Sequence, residues 1–293
     1  TKPITSVAVM QLVEQGKVEL DDPVSKHLAD LAKPKVFERF DASGELVTRS
    51  AEEITIRQLL SHTCGFGYDF FHPTLQRMVR ETKKQPRDLP LLHDPGKQWT
   101  FGMSTLVLGE LVEEVSGRKL DEYLEAEIFK PLDMVDTGFA LPKQQRHRLV
   151  TMHRRKDGKL GEEPNRTETS ITVRGDYGLY STTRDYGVFL QMLLNRGSLG
   201  DARILSRKSV KTMATNQIGD LVVELQAVVD PGFATPFPLG AGRDKFGLGF
   251  QITVARDNEH PRSVGSLSWG GICNTHFWVD PERGIAAVLL MQV

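Results

Sequence analysis

The chain has 293 residues, of which 39% are hydrophobic and 26% charged, values typical of a globular protein. Its 37 basic and 38 acidic residues give a net charge of −1, and this balance argues against a nucleic-acid-binding protein, which needs a basic surplus. The longest nearly apolar stretch, residues 285–291, is shorter than the roughly 20 residues of a membrane span. Only Cys64 and Cys273 are present, without a CxxC pair, so neither a disulfide framework nor a zinc-thiolate site is predicted.

The first part of the chain is predicted to be helical. Apolar residues from Ile4 to Leu12 recur at helical spacing until Gly16, which is expected to end the first helix. Similar patterns predict helices over residues 54–63, 104–115 and 120–129, and further helices capped by Thr182 or Thr183 and by Ser206. Residues 66–95 are predicted to be irregular, and residues 140–173 an exposed connection.

The last part of the chain predicts strands. Residues 246–254, 275–279 and 285–291 are short, β-branched or aromatic runs separated by turn residues. Helices followed by strands favour an α+β fold, with an antiparallel sheet flanked by helices and an all-helical subdomain. We expect a single domain, in which residues 1–20 and about 235–293 form the helix-and-sheet part and residues about 21–234 form the mostly helical subdomain. Both ends of the sequence are expected to be cut, because it opens inside a helix and closes after a strand.

The motifs of several chemistries are missing. The eight histidines are scattered, with no HExxH or HxH pattern, so no metal site is predicted. There is no GxGxxG, GxxxxGK[ST] or GxSxG sequence, which argues against a nucleotide cofactor and against the α/β-hydrolase nucleophile elbow. We therefore predict no cofactor.

Three segments are specific in combination. They are TKPIT at residues 1–5, LLSHTCG at 59–65 followed by PGKQWTFGMS at 95–104, and WGG at 269–271 just before a strand. Together they resemble the serine β-lactamase and penicillin-binding-protein superfamily, and within it the class C β-lactamase-like carboxylesterases known as family VIII esterases. The resemblance covers most of residues 1–139 and 174–293, with residues 141–173 and 218–245 as variable connections.

The resemblance implies a Ser-x-x-Lys motif in which Lys2 is the lysine. A serine and a lysine three positions apart share one face of a helix, so the amine can take the hydroxyl proton. The motif places the serine two positions before Thr1. Ser6 is a poor substitute, because the residue three positions after it is Val9.

The second motif departs from the family, which usually has a tyrosine where this chain has Phe101. A phenyl ring packs as a phenol does but cannot donate or accept a proton. Either Lys2 serves as the sole base, or another tyrosine enters the site. Tyr177, in a segment where the family usually has glycines, is the candidate.

The third motif supplies the predicted substrate contacts. The resemblance implies that the backbone N–H of Ile272 pairs with that of the serine as the oxyanion hole. Gly270 and Gly271 would let substrate approach the strand closely. The predicted substrate-binding residues are Phe101, Met103, Trp269, Gly270 and Gly271. A tryptophan in place of the family's lysine at this strand weakens the case for binding a β-lactam carboxylate.

Other residues near the motifs have simpler interpretations. His62 is expected to support the floor of the site, not to act as a base, and Cys64 to be a small buried residue. The aromatic residues between Phe66 and Phe71 could line an acyl pocket or only pack the segment. Trp99 and Trp278 are expected in the core.

The favoured function is a cofactor-free serine hydrolase acting on short-chain carboxylic esters through an acyl-enzyme, with a small-molecule ester as substrate. Activity on β-lactams or D-amino-acid peptides is a close variant. The alternative is a binding or scaffold protein that kept the fold without the chemistry, motivated by the absence of the serine and the motif tyrosine from this sequence. The residue encoded three positions before Lys2 separates the two. The sequence does not indicate an oligomeric state.

Phe101→Tyr is expected to raise esterase turnover in the full-length protein, because it restores a phenol that can carry a proton. The measurement is the turnover number on a chromogenic short-chain ester, compared with wild type. Unchanged or lower turnover would contradict the assignment of this phenol as the missing proton carrier.

Overall fold

The structure is a computed structural model that describes residues 1–156, 158–164, 173–229, 236–256, 258 and 261–293. Its helices are α1 (Lys2–Glu14), α2 (Ile56–Leu60), α3 (Pro73–Thr82), α4 (Ser104–Ser116), α5 (Leu120–Leu124, continued by a π-helical turn over Glu125–Phe129), α6 (Thr183–Leu194) and α7 (Arg207–Met213). Its strands are β1 (Lys35–Phe40), β2 (Leu46–Ser50), β3 (Met152–Lys156), β4 (Lys159–Glu163), β5 (Ser198–Leu199), β6 (Ala202–Arg203), β7 (Lys245–Phe246), β8 (Gln251–Ile252), β9 (Leu267–Gly271), β10 (Thr275–Asp280) and β11 (Ile285–Leu290).

The main sheet has five strands in the order β11-β10-β9-β8-β7, and each neighbouring pair is antiparallel. Helix α6 packs on β10 and β11, where Tyr186 meets Phe277 at a ring-centroid distance of 5.4 Å. The outer strand of the described sheet, β11, exposes Ile285 and Leu289. The predicted α+β fold, an antiparallel sheet flanked by helices, is confirmed.

Helix α1 is the central helix of the molecule. Its residues from Pro3 to Leu12 are all buried, which fits a helix without a polar face. It packs against α4 and α5. Gly16, at a φ of 67°, follows the helix in the left-handed conformation that commonly ends helices. The first helix is therefore confirmed, and Lys2 lies in its first turn.

The loop before α6 is fixed tightly against α1 and α4. The Thr5 hydroxyl donates a hydrogen bond of 2.8 Å to the carbonyl of Gly175. A Cβ at Gly175 would lie 2.1 Å from the carbonyl oxygen of Thr105 and 2.9 Å from the Cα of Gly109. Only glycine allows this approach of backbone to backbone, so the loop has little freedom relative to the two helices.

Three predictions of local structure were wrong. Residues 66–95 contain helix α3, whose buried residues are Leu75 and Met78, with Val79 packed beside them; the surrounding charges hid this short apolar pattern. The single strand over 246–254 is two short strands, separated by a turn in which Gly249 has a φ of 90°. The connection over 140–173 contains the β3–β4 hairpin. The WGG segment precedes strand β10 as predicted, and it also lies within a further strand, β9, that the sequence did not predict.

Other parts of these predictions lie outside the described residues, namely residues 157 and 165–172 of the first predicted connection and 230–235 of the second. Within the described residues, no helix combines the length and apolar character that a membrane crossing needs.

Gly175→Ala is expected to lower the free energy of unfolding by about 2 kcal/mol, because the added methyl group would force the loop away from α4. Gly187→Ala on α6 is the matched control, since a Cβ there has no neighbour within 4 Å and alanine is expected to stabilise the helix by about 0.5–1 kcal/mol. Urea denaturation of the two variants measures both changes. Equal stability of Gly175→Ala and wild type would show that the loop is not held in this way.

Candidate active site

The amine of Lys2 lies where three parts of the chain meet: α1, the loop before α6, and the aromatic segment after α2, residues 66–71. Its Nζ atom donates a hydrogen bond of 2.8 Å to the backbone carbonyl of Asp176. The same atom lies 5.0 Å from the ring centroid of Phe101 and 5.4 Å from that of Tyr68. The amine therefore has one hydrogen-bond partner, the Asp176 carbonyl, and it lies next to two aromatic rings.

Burial lowers the pKa of Lys2 from 10.5 to about 8; the Asp176 carboxylate opposes this shift, and the Arg174 guanidinium adds to it. Removing an ammonium group from water favours its neutral form. A substantial fraction of Lys2 is therefore unprotonated near pH 8 and able to accept a proton.

Asp176 brings a buried carboxylate to the same place. Its side chain has no solvent exposure. Arg174 donates two hydrogen bonds to it, of 2.9 and 3.1 Å, and the Tyr68 hydroxyl donates a third, of 2.9 Å. A carboxylate can be buried when donors compensate its lost hydration in this way.

The phenol of Tyr68 stays protonated. Burial first, and then the neighbouring carboxylate of Asp176, raise its pKa well above the ordinary value. Tyr68 therefore acts as a hydrogen-bond donor to Asp176 and does not act as a phenolate base.

An aromatic wall continues from Phe101 to the sheet. The Phe101 ring lies 5.0 Å from the ring of Trp269 on β9 and 5.5 Å from that of Phe237. Phe101, Trp269 and the neighbouring Met103 are all buried. The structure thus brings together Lys2, Phe101 and Trp269, three residues predicted from separate motifs.

His62 lies behind this wall. Its ring is stacked on Trp269 with centroids 6.2 Å apart, and it meets Phe101 edge-on at 5.5 Å. Burial, with a smaller contribution from the Lys2 charge, lowers the pKa of His62 to about 3. A neutral histidine packed among rings fits the structural role predicted for it.

The remaining residues of the second motif are also buried. Cys64 has no solvent exposure, as predicted, and its Sγ atom lies 3.1 Å from the Ser104 hydroxyl at the start of α4. Trp99 is fully buried as predicted, whereas Trp278 is only partly buried, because it lies on β10 between the buried residues Phe277 and Val279.

The glycines of the third motif lie on β9 opposite β10, with Gly270 paired to His276 and Gly271 to Thr275. A Cβ at Gly270 would come within 3.1 Å of the Phe237 ring, so the glycine lets the aromatic wall approach the strand. Ile272 follows in the turn to β10 and is 59% exposed. Its assignment to the oxyanion hole stays a prediction.

Tyr177 and Tyr68 occupy different environments. Tyr177, the tyrosine predicted to replace the missing phenol, is 52% exposed, and the guanidinium of Arg174 lies 4.6 Å above its ring centroid. Tyr68, which the sequence left open between packing and a pocket, is the tyrosine whose ring contacts the Lys2 amine. The sequence motifs do not predict the Tyr68–Asp176 hydrogen bond, because it joins residues 108 positions apart in the chain.

A cleft of about 490 Å³ opens beside these residues. It is lined on one side by Tyr68, Phe70, Met103 and Tyr177, and on the other by residues around the end of α3 and by Arg174. Among the described residues, no cluster of histidine, cysteine or acidic side chains could hold a metal ion.

The sequence profile of the family described as Beta-lactamase matches residues 1–293. The chain therefore belongs to the β-lactamase family, and its relatives include serine hydrolases and acyltransferases of this fold. This confirms the resemblance found in the sequence.

Three known proteins illustrate the relationship. Monacolin J acid methylbutanoyltransferase from Aspergillus terreus is 31% identical over all of this chain and 75% of its own length. Lovastatin esterase from Penicillium rubens is 28% identical over all of this chain and 77% of its own length. The solved structure of a mutant of simvastatin synthase from Aspergillus terreus superimposes with a TM-score of 0.83 at 30% identity, covering 99% of this chain and 75% of the other.

Proposed function

We propose that the protein hydrolyses short-chain carboxylic esters through an acyl-enzyme, with Lys2 as the base and a serine two positions before Thr1 as the nucleophile. The observation that carries the proposal is the Lys2 amine itself. It lies in the first turn of the central helix, and its pKa is lowered to about 8. A base with a pKa near the working pH is the most effective one.

Acylation follows from this geometry. The neutral amine of Lys2 takes the serine proton while the serine oxygen forms a bond to the ester carbonyl carbon. The bond from that carbon to the alkoxy oxygen then breaks, and the Lys2 ammonium returns the proton to the departing alcohol. The N–H of Ile272 and that of the serine would stabilise the oxyanion.

Deacylation repeats these steps with water. Lys2 takes a proton from the water molecule as the water oxygen attacks the acyl carbon, and the serine oxygen leaves and is reprotonated. His62 does not serve as this base, because its pKa of about 3 makes it a very weak one.

The surroundings of Lys2 favour a small acyl group. The rings of Phe101, Trp269 and Phe237 lie 4.9–5.5 Å from one another, so the wall beside the amine is apolar and closely packed.

Transfer of the acyl group to an alcohol is the second candidate. The relative with 31% identity is named a methylbutanoyltransferase and another relative is named an esterase. Both reactions use the same acyl-enzyme and differ only in whether water or an alcohol attacks it. The ratio of acid to new ester formed in the presence of added alcohol distinguishes them.

Labelling with a fluorophosphonate probe tests the proposed nucleophile. The full-length protein is expected to gain the mass of one adduct, located by peptide mapping on the serine three positions before Lys2. Lys2→Met is expected to slow labelling by about 10²–10⁴-fold, the usual contribution of a general base. Lys17→Met is the control, because Lys17 is an exposed lysine just beyond the end of α1.

Labelling of Lys2→Met at the wild-type rate would remove Lys2 from the mechanism. A wild-type protein that neither forms an adduct nor hydrolyses esters would instead support the alternative of a non-catalytic binding protein.

A further inference from the structure

The loop before α6 carries two charged residues, Arg174 and Asp176. Asp176 contributes two groups at once: its backbone carbonyl accepts the hydrogen bond of the Lys2 amine, and its carboxylate accepts the hydrogen bonds of Arg174 and Tyr68. The group that holds the amine is thus on the same residue as the buried charge.

The position of that carbonyl is determined on both sides. Next to it, Gly175 packs on α4, and its own carbonyl accepts the Thr5 hydroxyl hydrogen bond. Beyond it, the carboxylate is held by a donor from the same loop, Arg174, and by a donor from the aromatic segment after α2, Tyr68. The Asp176 carbonyl therefore cannot turn away from Lys2 without breaking contacts with three other parts of the chain.

We propose that Arg174, Asp176 and Tyr68 are positioning residues that hold the Lys2 amine where it can take the serine proton, in a site without a tyrosine at position 101. This proposal rests on the proposed function. The Tyr68 hydroxyl donates a hydrogen bond that orients the Asp176 carboxylate. The backbone carbonyl of Asp176 accepts a hydrogen bond from the Lys2 amine, and Arg174 neutralises the charge of the carboxylate.

Two of these residues, Asp176 and Arg174, act on the charge of Lys2 in opposite directions. The Asp176 carboxylate favours the ammonium form, and the Arg174 guanidinium disfavours it. The other titratable groups around the amine are His62, whose protonation Lys2 opposes, the Tyr68 phenol, and the Thr1 amino group, which a preceding residue would convert to an amide. His62 and Tyr68 are uncharged at neutral pH, so Asp176 and Arg174 dominate.

The cluster also explains how the site works with Phe101. The Tyr68 hydroxyl is engaged as a donor to Asp176, which leaves Lys2 as the base. Of the two possibilities open from the sequence, Lys2 as sole base or a second tyrosine as proton carrier, the geometry favours the first. The tyrosine beside Lys2 then acts on its position.

The pH dependence of kcat/KM for a p-nitrophenyl ester tests the proposal in the full-length protein. Activity requires the neutral amine, so the wild-type rate is expected to rise with pH to a plateau with a midpoint near pH 8. Asp176→Asn removes a charge that favours the ammonium form, so the midpoint is expected to fall by about one pH unit. Arg174→Gln removes a charge that disfavours it, so the midpoint is expected to rise by a similar amount.

Conservative variants separate positioning from folding. Arg174→Lys keeps the charge and is expected to keep the wild-type midpoint. Tyr68→Phe is expected to lower kcat by about tenfold with little change in KM, the loss expected when a base is slightly misplaced. Tyr186→Phe, which removes the hydroxyl of a partly buried tyrosine packed on Phe189 and Phe277, is expected to leave both constants unchanged. If Arg174→Gln does not fold, as judged by circular dichroism, Asp176→Asn and Arg174→Lys decide the question.

Midpoints that stay at the wild-type value, or that move in the same direction in Asp176→Asn and Arg174→Gln, would overturn the proposal. The proposed function would still stand in that case if the wild-type protein forms the fluorophosphonate adduct. A wild-type protein without adduct and without turnover would overturn both.

Discussion

The hydrogen bond from the Lys2 amine to the Asp176 carbonyl is the interaction on which the site depends. It joins the first turn of α1 to the loop before α6, two segments 174 residues apart in sequence. Burial at this junction lowers the pKa of the amine to about 8. A lysine on an exposed helix would remain charged at neutral pH and could not act as a base.

The rest of the fold keeps this junction rigid. Helix α1 is buried from Pro3 to Leu12, the loop is pressed onto α4 at Gly175, and the wall of Phe101 and Trp269 closes the side toward the sheet. Similar preorganisation is what catalytic groups in general require, because small displacements of a base are costly to the rate. The buried Asp176 carboxylate is stable here only because Arg174 and Tyr68 satisfy it.

Much of this could be predicted from local sequence. The apolar spacing from Ile4 to Leu12 gave the central helix, the short runs after residue 246 indicated an antiparallel sheet, and the motifs containing Lys2, Phe101 and Trp269 converge on one site. Helix α3 was missed because only two of its residues, Leu75 and Met78, are buried, and they are surrounded by charged residues. The role of Tyr68 was left open, because its hydroxyl contacts a carboxylate distant in sequence, and such pairing depends on the tertiary fold.

The protonation of Lys2 is the central claim, and an NMR titration of the lysine side-chain amines in the full-length protein measures it directly. One lysine signal, absent from Lys2→Met, is expected to titrate with a midpoint near pH 8. A Lys2 signal that titrates near the ordinary lysine value of 10.5 would contradict the account, because the amine would then be charged at the pH at which it is proposed to accept a proton.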